Sequence, residues 1–233
     1  MRKEDFFVLM DAELQKDGVW KVGNLPSGFD WQFLDSLNSL RGAGSAGRLD
    51  HSYYLYHYAS LLTDNSRIVE IGTAQGASAI VMGMGIRGKN SIILTIDPGM
   101  MSDEEVLANK DELNKYEFQK GNLNGILLSI RASGLEGYII PVPDTSENVV
   151  KRWDGRKIDM LYVDGSHTYE NVKKDCLWMQ HVKHGGVAVF DDWIEPVEKA
   201  VMEYVAAHRE WELLTRSTDQ PPKHPWKTVF WRN

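Results

Sequence analysis

From about residue 50 onward, short apolar segments alternate with segments of helical periodicity. The first five apolar segments are rich in β-branched residues and end at or next to Gly, Asp or Pro, which is typical of strands buried on both faces of a parallel sheet. The predicted strands span residues 67–72, 91–97, 137–142, 157–164, 186–192, 211–217 and 227–233. This alternation predicts an α/β fold with a doubly wound, mostly parallel seven-stranded sheet. The functional site of such a sheet lies at the carboxyl ends of its strands.

The segments between these strands predict the helices that cover the sheet. With Asp50 as an N-cap, the helices span residues 51–62, 76–86, 104–116, 122–133, 146–153, 169–183 and 195–210. The length of 233 residues suits one such domain at residues 50–233, preceded by an N-terminal extension at residues 1–49. Within the extension, the glycine-rich residues 41–47 would form either a mobile lid or a flexible joint.

Charge and composition argue against several classes of protein. The net charge is −7 and Lys and Arg form no run longer than a pair, which argues against a nucleic-acid partner. No segment approaches the ~20 continuous apolar residues of a membrane span, and the apolar run near the N-terminus is too short for a secretory signal. The single cysteine, Cys176, is expected to be a buried structural thiol. These features predict a cytoplasmic enzyme with no membrane partner, and they leave a homo-oligomer open.

The first predicted strand runs into a loop that could bind a nucleoside cofactor. In V-E-I-G-T-A-Q-G-A-S, Gly72 and Gly76 let the backbone turn sharply and let a ligand approach closely. Asp97, which ends the second predicted strand, could accept hydrogen bonds from ribose hydroxyls. Ala74 stands where a nicotinamide-binding motif has its second glycine, and Glu70 would repel a pyrophosphate. The loop favours a ligand with a cationic amino-acid part over NAD, although a glycine turn can also serve packing alone.

Carboxylates follow the fourth and fifth predicted strands. Asp164 ends the fourth strand, and Asp191 and Asp192 end the fifth. Three such charges close together are unfavourable unless a cation neutralises them, and oxygen ligands suit Mg²⁺, Mn²⁺ or Ca²⁺ better than zinc. His167, three residues after Asp164 in sequence, is better placed as a base beside the metal than as a ligand. Taken singly, these residues could instead be ordinary strand-end caps and a surface histidine.

The glycine loop resembles motif I of the class I S-adenosylmethionine (SAM)-dependent methyltransferases. In E-I-G-T-A-Q-G-A-S followed by L-T-I-D-P, Asp97 matches the acidic residue that ends their second strand. The resemblance implies a Rossmann-like methyltransferase fold in which the loop carries the methionine part of SAM and the acid holds the ribose. It implies adenine contacts from the segment after the third strand. The residues implied to bind SAM are Glu70, Gly72, Thr73, Gly76, Ser78, Asp97, Asp144, Thr145, Ser146 and Asp164.

The acidic segments resemble a narrower group within that class. Y-V-D-G-S-H-T-Y-E-N-V-K-K-D and G-G-V-A-V-F-D-D-W are similar to the metal-dependent O-methyltransferases of macrocin and cephalosporin biosynthesis, and more distantly to catechol O-methyltransferases. The resemblance implies that Asp164, Asp191 and Asp192 bind Mg²⁺ and that His167 is the catalytic base. Trp193, directly after this pair of aspartates, is expected to form a wall facing the substrate.

The function implied is methylation of a hydroxyl group on a small molecule. Histidine at the base position resembles the sugar-modifying members, so the expected acceptor is a sugar moiety of a natural product or polysaccharide. A catechol or other phenol is the alternative acceptor. Two further alternatives remain: a non-catalytic SAM-binding protein on the same fold, and a metal-free methyltransferase in which Asp191 and Asp192 hold a substrate amine or sugar hydroxyls.

Overall fold

The structure, a computed structural model, describes residues 13–14, 20–21, 49–74, 76–99, 123–216 and 227–233. The glycine-rich residues 41–47 and the helix predicted at 104–116 lie outside the described residues. In the N-terminal extension, strands β1 (Glu13–Leu14) and β2 (Trp20–Lys21) pair in an antiparallel manner. No helix in the described ranges is both long enough and apolar enough to cross a bilayer.

A seven-stranded sheet forms the centre of the described domain. Its strands are β3 (Arg67–Ile71), β4 (Ile92–Ile96), β5 (Ile139–Val142), β6 (Ile158–Val163), β7 (Val182–Phe190), β8 (Trp211–Arg216) and β9 (Thr228–Arg232). They lie side by side in the order β5-β4-β3-β6-β7-β9-β8. The first five are mutually parallel, and β9 is antiparallel to both of its neighbours. The predicted doubly wound, mostly parallel sheet is therefore confirmed.

Helices pack on both faces of this sheet. They are α1 (Leu49–Leu61), α2 (Ala77–Gly85), α3 (Leu123–Ala132), α4 (Ser146–Lys151), α5 (Tyr169–Asp175), a 3₁₀ helix (Cys176–His181) and α6 (Glu195–Ala207). Residues of α1, α2 and α3 share one hydrophobic cluster with one side of the strands. Residues of α4, α5, the 3₁₀ helix and α6 form a second hydrophobic cluster with the other side of the strands. All six residues of β6 are buried, as expected for a central strand covered on both sides.

Two element boundaries differ from the sequence prediction. The helix predicted at 169–183 ends as an α-helix at Asp175, continues as the 3₁₀ helix, and gives way to β7 at Val182. β7 thus begins before the predicted residue 186, since Val182 already pairs with Ile158 of β6 across a register shift. Asp50, expected as the N-cap of the first helix, lies inside the first turn of α1. Cys176 is fully buried, as predicted, and burial raises the pKa of its thiol.

The register of the sheet brings the functional candidates into one row. Four residues that directly follow strands donate a backbone hydrogen bond to the last residue of the neighbouring strand. The pairs are Asp97 to Val142 (3.1 Å), Gly72 to Ile96 (2.9 Å), Asp164 to Ile71 (2.8 Å) and Asp191 to Val163 (2.9 Å). The carboxyl ends of five parallel strands are therefore level, and their side chains meet along one edge.

Candidate active site

Gly72 lets the glycine loop pass close to the end of β6. Its φ is 89°, and an added Cβ would lie 2.0 Å from the backbone oxygen of Asp164. Gly76 also has a positive φ, 83°, but an added Cβ there would meet nothing closer than Ile126, at 3.8 Å. The backbone conformation therefore favours glycine at both positions, and close backbone packing also requires it at Gly72.

Asp97 fastens the glycine loop to the end of β4. Its Oδ2 accepts hydrogen bonds from the backbone N–H groups of Thr73 (2.8 Å) and Ala74 (2.9 Å), and its Oδ1 accepts one from Gly99 (2.6 Å). A carboxylate has about four acceptor positions, so a ribose hydroxyl would share Asp97 with the loop.

Glu70 lies beneath the loop in a network of hydroxyl groups. Its side chain has no exposed surface, and its two carboxylate oxygens accept hydrogen bonds from Ser78 and Thr95. The Thr73 hydroxyl contacts that of Thr95 and extends the network into the loop. Burial raises the pKa of Glu70 to about 8, although the two hydroxyl hydrogen bonds oppose the rise. The structure thus places Glu70 and Ser78 against each other, as an internal support of the predicted cofactor loop.

A cleft opens beside Asp97 at the ends of β4 and β5. Its lining is largely apolar and comprises Thr73, Thr95, Asp97, Pro98, Gly99, Leu123, Ile126, Pro141, Val142 and Pro143. Apolar walls with one carboxylate at the margin suit a flat ring joined to a polar sugar. Sequence reasoning missed Leu123, Ile126 and Pro141, because apolar residues on a helix or strand carry no signal that separates a ligand wall from the core.

The segment predicted to contact adenine has partners within the protein. Asp144 pairs with Arg152, and Thr145 caps α4 by accepting a hydrogen bond from the N–H of Asn148 (3.2 Å). Ser146 donates to Asp175 and accepts a hydrogen bond from the Trp178 indole (3.0 Å). These three side chains therefore organise the start of α4 and its contact with α5 and the 3₁₀ helix.

Asp164, His167 and Asp192 form an acidic cluster at the ends of β6 and β7. One ligand atom from each lies within 4.8 Å of the others. His167 Nε2 is 3.4 Å from Asp192 Oδ2 and 3.8 Å from Asp164 Oδ1, and each side chain is about one-third exposed, at 35%, 31% and 31% respectively. Asp192 has a φ of 45°, a left-handed conformation that few non-glycine residues adopt and that aspartate tolerates better than most.

Asp191, the third predicted metal ligand, is bound by a buried lysine. Lys227 Nζ lies 2.7 Å from Asp191 Oδ2 and 3.1 Å from the Tyr162 hydroxyl. That hydroxyl lies 2.7 Å from Asp191 and 2.9 Å from Asp164, and it can donate its one proton to only one of the two carboxylates at a time. The structure brings the three predicted carboxylates together, but it gives Asp191 a counter-charge of its own. Sequence reasoning missed Lys227.

The cluster changes the acidity of its members. Partial burial and the charge of Asp191 raise the pKa of Asp164 to about 6, against the opposing effects of His167 and Lys227. Burial alone would lower the pKa of His167, but contact with Asp164 and the charge of Asp192 outweigh it, so the pKa is raised overall. The carboxylates thus favour the imidazolium form of His167, and a cation placed between them would oppose it.

Trp193 is not a wall of the site. Its side chain is 1% exposed and packs against Phe190 and Phe230 in the core. A tight turn at Asp192 leads Trp193 inward. The turn is closed by a hydrogen bond from the Ile194 N–H to the backbone carbonyl oxygen of Asp192 (2.6 Å). The expectation that Trp193 faces the substrate is therefore wrong.

Comparison with known proteins identifies the class of protein that has this fold and this arrangement of residues at the ends of the strands. Residues 69–193 match the model of a protein family described as a methyltransferase domain. The match covers more than half of the 233 residues, and the chain belongs to this methyltransferase family. The chain is also 32% identical over 149 residues to the uncharacterized protein R132 of Acanthamoeba polyphaga mimivirus, a region that makes up 61% of each protein. It thus spans less than two thirds of that relative.

Solved structures share the fold at low sequence identity. Rv0187 from MTB, crystallised with a bound cofactor, has a TM-score of 0.64 and 15% identity, covering 87% of this chain and 90% of that one. The O-methyltransferase TomG from Streptomyces achromogenes, involved in tomaymycin synthesis and solved with SAM, has a TM-score of 0.62 and 14% identity, covering 88% and 92%. These likenesses confirm the predicted Rossmann-like methyltransferase fold.

Proposed function

We propose that the protein is a SAM-dependent O-methyltransferase that uses a divalent cation to methylate a hydroxyl group of a small molecule. The observation that carries the proposal is the acidic cluster of Asp164, His167 and Asp192, level with the glycine loop along one edge of the sheet. A side chain that could accept a proton and oxygens that could bind a cation thereby lie beside the loop predicted to hold the methyl donor.

The cleft and the loop support SAM as that donor. The apolar cleft beside Asp97 would hold adenine, Asp97 would share its carboxylate with the ribose, and the loop from Gly72 to Gly76 would face the methionine part. TomG, which has the same fold, was solved with SAM. Bound SAM would supply a methyl group on a sulfonium, which an oxygen nucleophile can displace in line.

The donor atoms of the cluster fit a divalent cation. Asp164 and Asp192 offer oxygens that converge within 4.8 Å, and hard oxygen donors suit Mg²⁺, Mn²⁺ or Ca²⁺. Such a cation would lower the pKa of a coordinated substrate hydroxyl. Asp191 would lie beside this site, because the donor atoms that converge come from Asp164, His167 and Asp192, and Oδ2 of Asp191 is bound to Lys227.

His167 would accept the proton of the substrate hydroxyl at Nε2. The imidazolium formed would lie near Asp192, 3.4 Å away, and Asp164, 3.8 Å away, whose negative charges would counter its repulsion from the bound cation. A positioned base of this kind typically contributes about 10²–10⁴-fold to the rate. The proposed acceptor is a hydroxyl on a sugar moiety of a natural product or polysaccharide, because histidine at this position matches the sugar-modifying members of the resembled group.

The test measures transfer of labelled methyl groups from SAM to a panel of sugar and phenol acceptors. Activity should disappear with EDTA and return with Mg²⁺ or Mn²⁺. His167→Ala should lower kcat by about 10²–10⁴-fold with the affinity for SAM unchanged, while the exposed His184→Ala serves as the matched control and should have no effect. The rising limb of the pH–rate profile should be absent in His167→Ala.

Each part of the proposal can fail separately. Full activity in EDTA would refute the role of the cation. A near-normal kcat for His167→Ala, with the same pH limb, would refute the role as base and would favour a phenol, whose proton a metal can release without a protein base. SAM binding with no transfer to any acceptor would favour a non-catalytic binding protein.

A further inference from the structure

We propose that Lys227 sets the cation affinity of the acidic cluster by its positive charge and by holding Oδ2 of Asp191 away from the cation. The inference rests on the proposed function and assigns Lys227 the part of a positioning residue, which acts on the cation through Asp191. The first observation is the burial of Lys227. Only 2% of this residue is exposed, and its side chain lies against the site.

The contacts of Lys227 stabilise a charged ammonium group. Its Nζ donates to Asp191 Oδ2 at 2.7 Å and to the Tyr162 hydroxyl at 3.1 Å, and it lies 5.1 Å from the centre of the Tyr162 ring. A buried ammonium is stable only when a partner charge and hydrogen bonds replace its water. Both are present here, and both face the carboxyl ends of the strands.

This pairing changes the net charge and the number of oxygens available to a cation. With His167 neutral, the three ionised aspartates and Lys227 carry a net charge of −2, which one divalent cation would neutralise. Without the lysine the net charge would be −3. The ammonium also occupies Oδ2 of Asp191, so a cation would have to compete for that oxygen. Lys227 is therefore expected to weaken cation binding on both counts.

Tyr162 extends the effect to a second carboxylate. Because Lys227 donates to the tyrosine oxygen, the tyrosine proton is directed towards Asp191 and Asp164. The amino group thus influences two of the three aspartates, one directly and one through the hydroxyl. A purely structural lysine would stabilise the fold, but its removal would not make the site a stronger ligand for cations.

The experiment measures Mn²⁺ binding to the metal-free protein by electron paramagnetic resonance, with Mn²⁺ alone as the probe. Lys227→Met, which keeps the stem and removes the charge, should lower the Kd for Mn²⁺ by about tenfold or more. Lys227→Arg keeps the charge and should stay near the parent value. The double variant Lys227→Met with Asp191→Asn restores the net charge of −2 and should return the Kd towards that of the parent.

A Kd for folded Lys227→Met that equals or exceeds the parent value would overturn the proposal. If Lys227→Met does not fold, the comparison moves to the Asp191→Asn background, where adding Lys227→Met must still tighten Mn²⁺ binding. Absence of Mn²⁺ binding in the parent and every variant would defeat both the proposed cation and this inference. Binding by the parent without tightening would defeat this inference alone.

Discussion

Gly72 and Gly76 occupy the same loop with nearly the same φ, 89° and 83°, yet substitution should affect them differently. Alanine at either position must adopt a left-handed conformation, which costs about 1–2 kcal/mol. Only at Gly72 would the new Cβ also collide with the backbone of Asp164, at 2.0 Å. We expect Gly76→Ala to lower the free energy of unfolding in urea by about 1–2 kcal/mol, and Gly72→Ala by clearly more.

Gly88 provides the control for this comparison. Its φ is 84°, and an added Cβ there would meet nothing within 4 Å. Gly88→Ala should therefore match Gly76→Ala, since both isolate the conformational cost. Equal losses for Gly72→Ala and Gly76→Ala would show that the end of β6 yields to the added carbon, and that the close approach does not fix the loop.

Individual site residues differ in how far the sequence reveals them. Asp97, Asp164 and Asp191 can be predicted at one edge because each directly follows an apolar strand, and the ends of parallel strands meet. Lys227 cannot, because a lone lysine after a proline-rich stretch shows no local pattern, and its partner Asp191 follows β7, far from Lys227 in sequence. Nor does the sequence show that protein hydroxyls enclose Glu70, since that depends on the packing of β4 and α2 around β3.

Among the elements, α4 is joined to α5 and the 3₁₀ helix through Ser146. Asp175, 5% exposed, accepts the Ser146 hydroxyl, which itself accepts the Trp178 indole N–H. Ser146→Ala would leave two buried polar groups without this partner, which costs about 1–3 kcal/mol. We expect that loss in the free energy of unfolding, with the affinity for SAM unchanged by calorimetry.

Thr145→Ala is the matched variant for Ser146→Ala. It removes the N-cap of α4 but leaves the hydrogen bonds of Ser146 with Asp175 and Trp178 in place. The free energy of unfolding should therefore fall by only about 1 kcal/mol. A Ser146→Ala protein of full stability and weakened SAM binding would instead support the adenine contact that the family resemblance implies for Ser146.

Element boundaries are less predictable where long-range pairing overrides local pattern. Residues 169–183 show helical periodicity, yet the α-helix ends at Asp175 because Val182 is drawn into the sheet beside Ile158. The alternation of strands and helices does predict the parallel core. It does not predict that β9 inserts between β7 and β8, since antiparallel pairing with β7 joins residues far apart in sequence.

The stability of the whole molecule should fall as pH rises from 5 to 8. Burial raises the pKa of Glu70 to about 8 and that of Asp175 to about 7, whereas both groups titrate near 4 when unfolded. Between these values the folded state keeps protons that the unfolded state releases. Each group then lowers the free energy of unfolding by up to about 1.4 kcal/mol per pH unit. Urea unfolding at several pH values measures this slope.

Glu70→Gln isolates one part of the slope. The amide cannot ionise, so the variant should gain stability relative to the parent at pH 8 and show little difference at pH 5. The exposed Glu136→Gln is the control and should leave the slope unchanged. A parent protein whose stability is constant over this range would contradict the protonated state expected for Glu70 beneath the loop.

The position of β9 also orders the assembly of the site in time. β9 follows β8 in the chain but lies between β7 and β8, so β8 cannot join the sheet until the later strand is in place. Lys227, directly before β9, arrives with that strand. On a ribosome, the aspartates would leave the exit tunnel well ahead of the ammonium that restrains Asp191. Completion of the sheet and completion of the site are therefore one event, which must wait until β9 has formed.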